Sequence, residues 1–132
     1  MSVLPARVLV VDDERDTVLT LGILFRSEGV EVEMLRNGTD VVEKVARFAP
    51  DVVLLDVAMP GRSGFEVAQD LRGRYGAGCP VLVALTGLSS PEDRRMAQLC
   101  GFDHHVAKPY DPQALLALVI SLAGPALRAA SA

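Results

Sequence analysis

The sequence predicts an α/β fold in which five strands form one open parallel sheet and a helix follows each strand. Two observations set the class. Short apolar runs alternate with longer amphipathic stretches, the pattern of repeated βαβ units, and the runs are too uniformly apolar for strands with a solvated face (Val8 to Val11, Val52 to Leu55, Val81 to Leu85), as expected where helices cover both sides of a sheet. A third observation bears on function. Those runs stop at Asp12 and Asp13, at Asp56 and at Thr86, and a shorter fourth run leads to Lys108. In an open parallel sheet the carboxyl ends of the strands share one edge, and ligands bind in the crevice there. Residues far apart in the chain are thus expected to meet in one pocket.

The elements follow in order. After the first strand, Asp16 to Glu28 reads as a helix with Leu21, Leu24 and Phe25 on one face, stopped by Gly29, a residue suited to a left-handed cap. Val30 to Leu35 is the second strand. Asn37-Gly38 is a turn signal, and Val41, Val42, Val45 and Phe48 form a helical stripe that Pro50 ends. Asp51 to Leu55 is the third strand. Met59 to Gly64 is rich in chain breakers and leads into a helix carrying Phe65, Val67, Ala68 and Leu71, which the Gly73 to Gly78 segment ends. The fourth strand begins after Pro80. Ser90 is a good N-cap, with Pro91 at the first helical position and Asp93 in the first turn, so a helix to about Cys100 is well signalled, and Gly101 stops it. Asp103 to Ala107 is the fifth strand. Asp111 and Pro112 open a last helix with Leu115, Leu118, Val119 and Leu122, expected to end at Gly124-Pro125.

Composition narrows the function. A chain of 132 residues fits one domain, and roughly two thirds of its surface should leave water on folding. No apolar stretch approaches the about 20 residues that cross a bilayer, and Met1 to Pro5 lack the pattern of a signal or transit peptide. A soluble, cytoplasmic protein is expected. Cys79 and Cys100 lack the paired spacing of a zinc site and read as reduced, packing thiols. With a net charge of −4 and no Lys/Arg cluster longer than a pair, direct contact with nucleic acid is not expected, and output should run through protein contacts.

The strand-tip residues then have to be weighed. Asp12-Asp13-Glu14 could equally serve as an acidic helix start, where the macrodipole favours carboxylates. Asp56 is harder to explain structurally, because an acid at the tip of a buried strand needs a partner to offset its desolvation. Three carboxylates gathered together repel, and a cation relieves them. Mg2+ prefers oxygen ligands and is commonly held by one or two carboxylates plus phosphate oxygens. Zinc would want histidine or thiolate. His104 and His105 lie near the rim, but adjacent strand residues point to opposite faces and do not chelate one ion together.

V-D-D-E after the first strand, D-V-A-M-P-G-R-S-G after the third, A-L-T-G after the fourth and V-A-K-P after the fifth together resemble the receiver domain of two-component response regulators. The resemblance spans about Ala6 to Ala123, which places the receiver at residues 1–125 and leaves 126–132 as a short C-terminal tail. It implies a doubly wound, flavodoxin-like sheet in the order 2-1-3-4-5 with five helices. It also implies that Asp56 is the phosphoacceptor of a phosphorelay, taking a phosphoryl group from a phosphohistidine on a sensor histidine kinase or a histidine phosphotransfer protein. Asp12, Asp13, Asp56 and the backbone carbonyl of Ala58 would hold Mg2+. Lys108 would neutralise the transferring oxygens, Thr86 would donate its hydroxyl to the phosphate, and Gly87 would leave that oxygen approachable.

By the same resemblance the Lys108-Pro109 bond is expected to be cis. Thr86 and the residue three before Lys108 would form the switch; here that residue is His105, where the family usually has Tyr or Phe. The helix from Pro91, the fifth strand and the last helix would be the readout face for a downstream protein. Ala58 and Leu88 stand at two variable positions that govern access of water to the phosphate, and both are apolar. Such a protein is not an enzyme beyond its own phosphorylation and dephosphorylation. Three other classes compare less well. A haloacid-dehalogenase-type phosphatase places its nucleophile in a D-x-D arrangement after the first strand, an FMN carrier needs a hydroxyl-rich phosphate loop there, and a degenerate receiver acting only as an interaction module would lack some of the five key side chains. No effector domain is expected in this sequence, which suits either a stand-alone receiver or one belonging to a larger protein such as a hybrid histidine kinase.

Overall fold

In the computed structural model, which describes residues 5–59, 61–87 and 90–131 with side chains as far as Ala123, the strands are β1 (Arg7–Val11), β2 (Glu31–Leu35), β3 (Val52–Asp56), β4 (Val81–Thr86) and β5 (His104–Ala107). They form one parallel sheet in the order β2-β1-β3-β4-β5. Alternation along β1 assigns the two faces. Val8 and Val10 pack with Val18, Leu21 and Phe25 of helix α1 (Arg15–Ser27) and with Leu115 and Val119 of α5 (Pro112–Ser131). Leu9 and Val11 point the other way, against Val41 and Val45 of α2 (Val41–Phe48), Val67 and Leu71 of α3 (Gly64–Tyr75) and Ala97 of α4 (Pro91–Leu99). Every residue of the central strand β3 is buried, as its unbroken apolar run requires.

The order of the sheet sets the position of the site. From β1 the chain moves to β2 on one side and then returns to β3 on the other, so the crevice between helices opens at the carboxyl ends of β1 and β3. The last paired residues there are Val11 and Leu55. Asp12 and Asp56 follow one step later, and two strand tips separated by more than forty residues of sequence become neighbours.

The helix starts obey their local signals. Ser90 and Asp93 form a reciprocal capping box, with the Ser90 hydroxyl accepting the Asp93 N–H at 3.1 Å. Asp111 accepts the Gln113 N–H at 3.1 Å at the start of α5. One helix end differs from expectation. The α5 backbone continues through Gly124 and Pro125 to Ser131, because Ala126, Leu127, Ala129 and Ala130 are strong helix formers and outweigh the local effect of the two breakers. Helix α3 passes through Gly73 and stops at Gly76, which adopts φ +53°, within the Gly73 to Gly78 segment expected to end it. Gly73 is exposed, and a Cβ there would meet nothing within 4 Å. Gly73→Ala is therefore expected to stabilise the protein by about 0.5–1 kcal/mol, read as a higher urea midpoint at unchanged m.

Candidate functional site

The site is built from four strand ends. Where β1 stops, the Asp12 N–H still donates to the Leu35 carbonyl (3.1 Å), which holds Asp12 in line with the sheet. Its carboxylate is fully buried, and one oxygen accepts the Glu14 N–H at 3.0 Å. Asp13 is exposed. Helix α1 begins only at Arg15, and its first-turn acid is Asp16, so the Asp12-Asp13 pair precedes the helix rather than forming its first turn. Asp56 ends β3 almost wholly buried; its Oδ1 accepts the Ala58 N–H at 3.1 Å. One carboxylate oxygen from each of Asp12, Asp13 and Asp56 lies within 4.8 Å of the others.

Lys108 closes the cluster from the loop after β5. Its backbone N–H donates to the Thr86 carbonyl at 2.8 Å, and its ammonium donates to Asp12 Oδ2 at 2.8 Å and to Asp56 Oδ2 at 3.2 Å. The Lys108–Pro109 peptide is cis. Thr86 ends β4 and is buried. His105 is half-buried on β5, paired in register with Ala84. Ala58 and Gly87 are exposed, and the space a Cβ of Gly87 would enter is open. Leu88 lies outside the described residues.

Burial is the main force on the Asp56 carboxyl and raises its pKa; the Ala58 N–H opposes this, the Asp12 charge adds to it, and Lys108 works against it. Burial alone would lower the Lys108 pKa, but its hydrogen bond to Asp12 and the charges of Asp12 and Asp56 outweigh this, and the ammonium is held above its ordinary range. Tyr110, two residues on, is pushed up to about 12 by burial and then by the Asp12 charge. It lines a cavity of about 480 Å³ between α1 and the β5–α5 loop, together with Glu14, Thr17, Thr20 and Lys108.

Three carboxylates face one ammonium, which leaves an excess of negative charge beside an all-oxygen donor set. Such a set suits a hard divalent cation and offers nothing to a soft one. The sequence pattern marked these side chains but not the glycine that supports them. Gly64, at the start of α3, donates its N–H to the Val57 carbonyl at 3.0 Å. A Cβ there would lie 2.5 Å from the Asp56 carbonyl oxygen and 2.6 Å from Val57 Cα, so α3 seats directly on the backbone of Asp56. In the sequence Gly64 shows only as the end of the breaker-rich loop and the last residue of the D-V-A-M-P-G-R-S-G motif.

The family sequence model for the response regulator receiver domain matches residues 8–120. The chain belongs to that family. The receiver is 38% identical over 115 residues to the transcriptional regulatory protein CreB of Escherichia coli K12, covering 87% of this chain and 49% of CreB, so it spans about half the length of that relative. Among solved structures, the chemotaxis response regulator CheY4 of Vibrio cholerae superimposes with a TM-score of 0.83 at 28% identity, over 90% of this receiver and 99% of CheY4. The BeF3-activated receiver domain of DrrB, a Thermotoga maritima protein, superimposes with a TM-score of 0.81 at 26% identity, over 92% and 99%. The strand order of this receiver is the one its motifs implied.

Proposed function

We propose that this receiver accepts a phosphoryl group on Asp56 from a phosphohistidine of a sensor histidine kinase or a histidine phosphotransfer protein, with Mg2+ as cofactor. The observation that carries the proposal is the convergence of Asp12, Asp13, Asp56 and Lys108, from the tips of three strands, on one point. Asp12, Asp13, Asp56 and the Ala58 carbonyl would hold the ion, which when bound supplies positive charge to the transferring oxygens. A carboxylate oxygen of Asp56 attacks phosphorus as the bond to the imidazole nitrogen breaks, giving an acyl phosphate and a free histidine. Such transfer needs placement and charge neutralisation more than covalent help. Lys108 provides a fixed cation beside Asp56, and the Ala58 N–H keeps one of its oxygens oriented. Both also favour the ionised acid, which burial disfavours.

The product carries about two negative charges where there was one. Thr86 would turn its hydroxyl to the new phosphate oxygens, Gly87 would leave them open, and His105 would follow Thr86, changing the face made by α4, β5 and α5 for a downstream protein. Ala58 and Leu88 offer no hydrogen bond to an attacking water. We assign the signalling unit to residues 1–125 with 126–132 as an appended tail, acting in the cytoplasm, without direct nucleic-acid contact at a net charge of −4. Among the described residues no helix is long and apolar enough to cross a membrane. It is no enzyme beyond its own phosphorylation cycle. Intact mass after acetyl phosphate and Mg2+ tests the proposal: one phosphoryl adduct is expected on the native chain and none on Asp56→Ala. An adduct that persists in the variant places the acceptor elsewhere.

A further inference from the structure

Gly38 lies in the turn between β2 and α2 and contributes no side chain to the acidic cluster, yet it is buried. Its backbone has no positive φ, so conformational freedom does not explain a glycine there. Space does. A Cβ on Gly38 would overlap the carbonyl oxygen of Arg62 and lie 3.1 Å from that carbonyl carbon and 3.2 Å from Arg62 Cβ. A second contact lies alongside: Gly61, with φ +82°, brings its backbone so close to Thr39 that a Cβ would lie 2.9 Å from Thr39 Oγ1. The turn is itself pinned, since Asn37 Oδ1 accepts the N–H groups of Thr39 and Asp40 at 3.0 and 3.2 Å.

Arg62 and Gly61 belong to the loop that runs from Asp56 to Gly64. At one end of that loop the Ala58 N–H holds Asp56 Oδ1. At the other, Gly64 sits on the Asp56 and Val57 backbone. Arg62 is also tied to the next helix, its guanidinium pairing with Asp70 of α3 at 3.0 Å. Because the atoms a Gly38 Cβ would meet first are backbone atoms of Arg62, the added carbon has to displace the loop main chain itself.

We infer that Gly38 is a positioning residue for the cation site: by having no side chain it lets the β2–α2 turn buttress the loop that carries Ala58. The inference rests on the proposed cation site. Its test uses Mn2+ alone as probe, with no phosphodonor, and measures the Kd by electron paramagnetic resonance on the full chain, with Tm recorded in parallel. Gly38→Ala is expected to weaken Mn2+ binding about tenfold, the scale of lost support behind metal ligands. Gly73→Ala, the same chemical change into open space, is expected to leave the Kd unchanged. Thr39→Ala removes the Oγ1 beside Gly61 without inserting an atom and is expected to weaken binding, by less than Gly38→Ala does; it carries the test if Gly38→Ala does not fold. A lower Tm with native Mn2+ affinity in Gly38→Ala, or in Thr39→Ala where that variant has to stand in, would assign the turn to packing alone and overturn the inference. A native chain that binds no Mn2+ would instead overturn the cation site itself, and the inference with it.

Discussion

Lys108→Met is expected to destabilise the protein by about 2–4 kcal/mol at neutral pH without divalent cations, or roughly 10 °C in Tm for a domain of this size. Asp12 is fully buried and takes its ammonium partner from Lys108 at 2.8 Å. Methionine keeps most of the apolar stem but leaves two buried carboxylates facing each other unneutralised. Removing one member of a buried pair costs about 3–5 kcal/mol; the lower figure applies here because the Lys108 side chain is 27% exposed and water can reach the gap. The pH profile separates this from lost packing. The Lys108 pKa lies above its ordinary 10.5, so its contribution is complete below that value and fades as pH rises through the still higher folded value. Toward acid, protonation of Asp56, whose pKa burial raises, removes the repulsion that the variant exposes. The deficit, read from urea unfolding in EDTA, should be widest from neutral pH to about 10 and narrow on both sides. A deficit that does not change with pH would locate the effect in the stem. Phosphorylation by acetyl phosphate should slow by about a hundredfold, as when one preorganised charge donor is removed from a reacting centre.

The parts of this fold legible in the sequence are those fixed by short-range chemistry. Apolar runs ending in Asp, Thr and Lys marked the strand tips, Ser90 and Asp111 marked helix starts, and the parallel class followed from how uniformly apolar Val52 to Leu55 is. The order of strands needed the motif resemblance, since periodicity says nothing about which neighbour a strand takes. Asp12 and Asp13 are adjacent and chemically identical, yet one is fully buried and the other exposed; that difference arises from the Leu35 carbonyl holding Asp12 in the sheet line, a contact across more than twenty residues. Gly38 and Gly64 were legible only as a turn signal and a loop end. Their service to Asp56 depends on which backbone approaches them, and that is settled by tertiary packing. Tyr110 carries no signal in the sequence for a similar reason, because its proximity to Asp12 exists only once β1 and β5 share a sheet edge. At Gly124-Pro125 the local rule gives the wrong helix end, since the alanine-rich stretch that follows carries the α5 backbone past both breakers.

Asp56→Asn separates the stability of the bare site from its affinity for a cation, and the two should change in opposite directions. The folded Asp56 carboxyl binds its proton more readily than the ordinary value of 3.8, chiefly through burial. The ionised acid therefore weighs against folding at neutral pH, and its unfavourable contribution disappears as pH falls through the folded value toward 3.8. Asparagine is isosteric, can still accept from the Ala58 N–H, and leaves Lys108 paired with Asp12 at 2.8 Å. In EDTA at pH 7 the variant should be the more stable protein by about 1 kcal/mol, the usual scale of a single-residue change. Saturating Mg2+ should reverse the order. At a hundredfold excess over its Kd the ion adds about 2.7 kcal/mol to the native chain. If losing one carboxylate ligand weakens binding about a hundredfold, the same Mg2+ concentration adds only about 0.4 kcal/mol to the variant. The native chain should then lead by about 1 kcal/mol. Four melting curves decide the matter, two proteins each with EDTA and with Mg2+. Equal Mg2+ shifts in both proteins would show that the ion is held without Asp56, and the carboxylate at the tip of β3 would lose its part in the cation site.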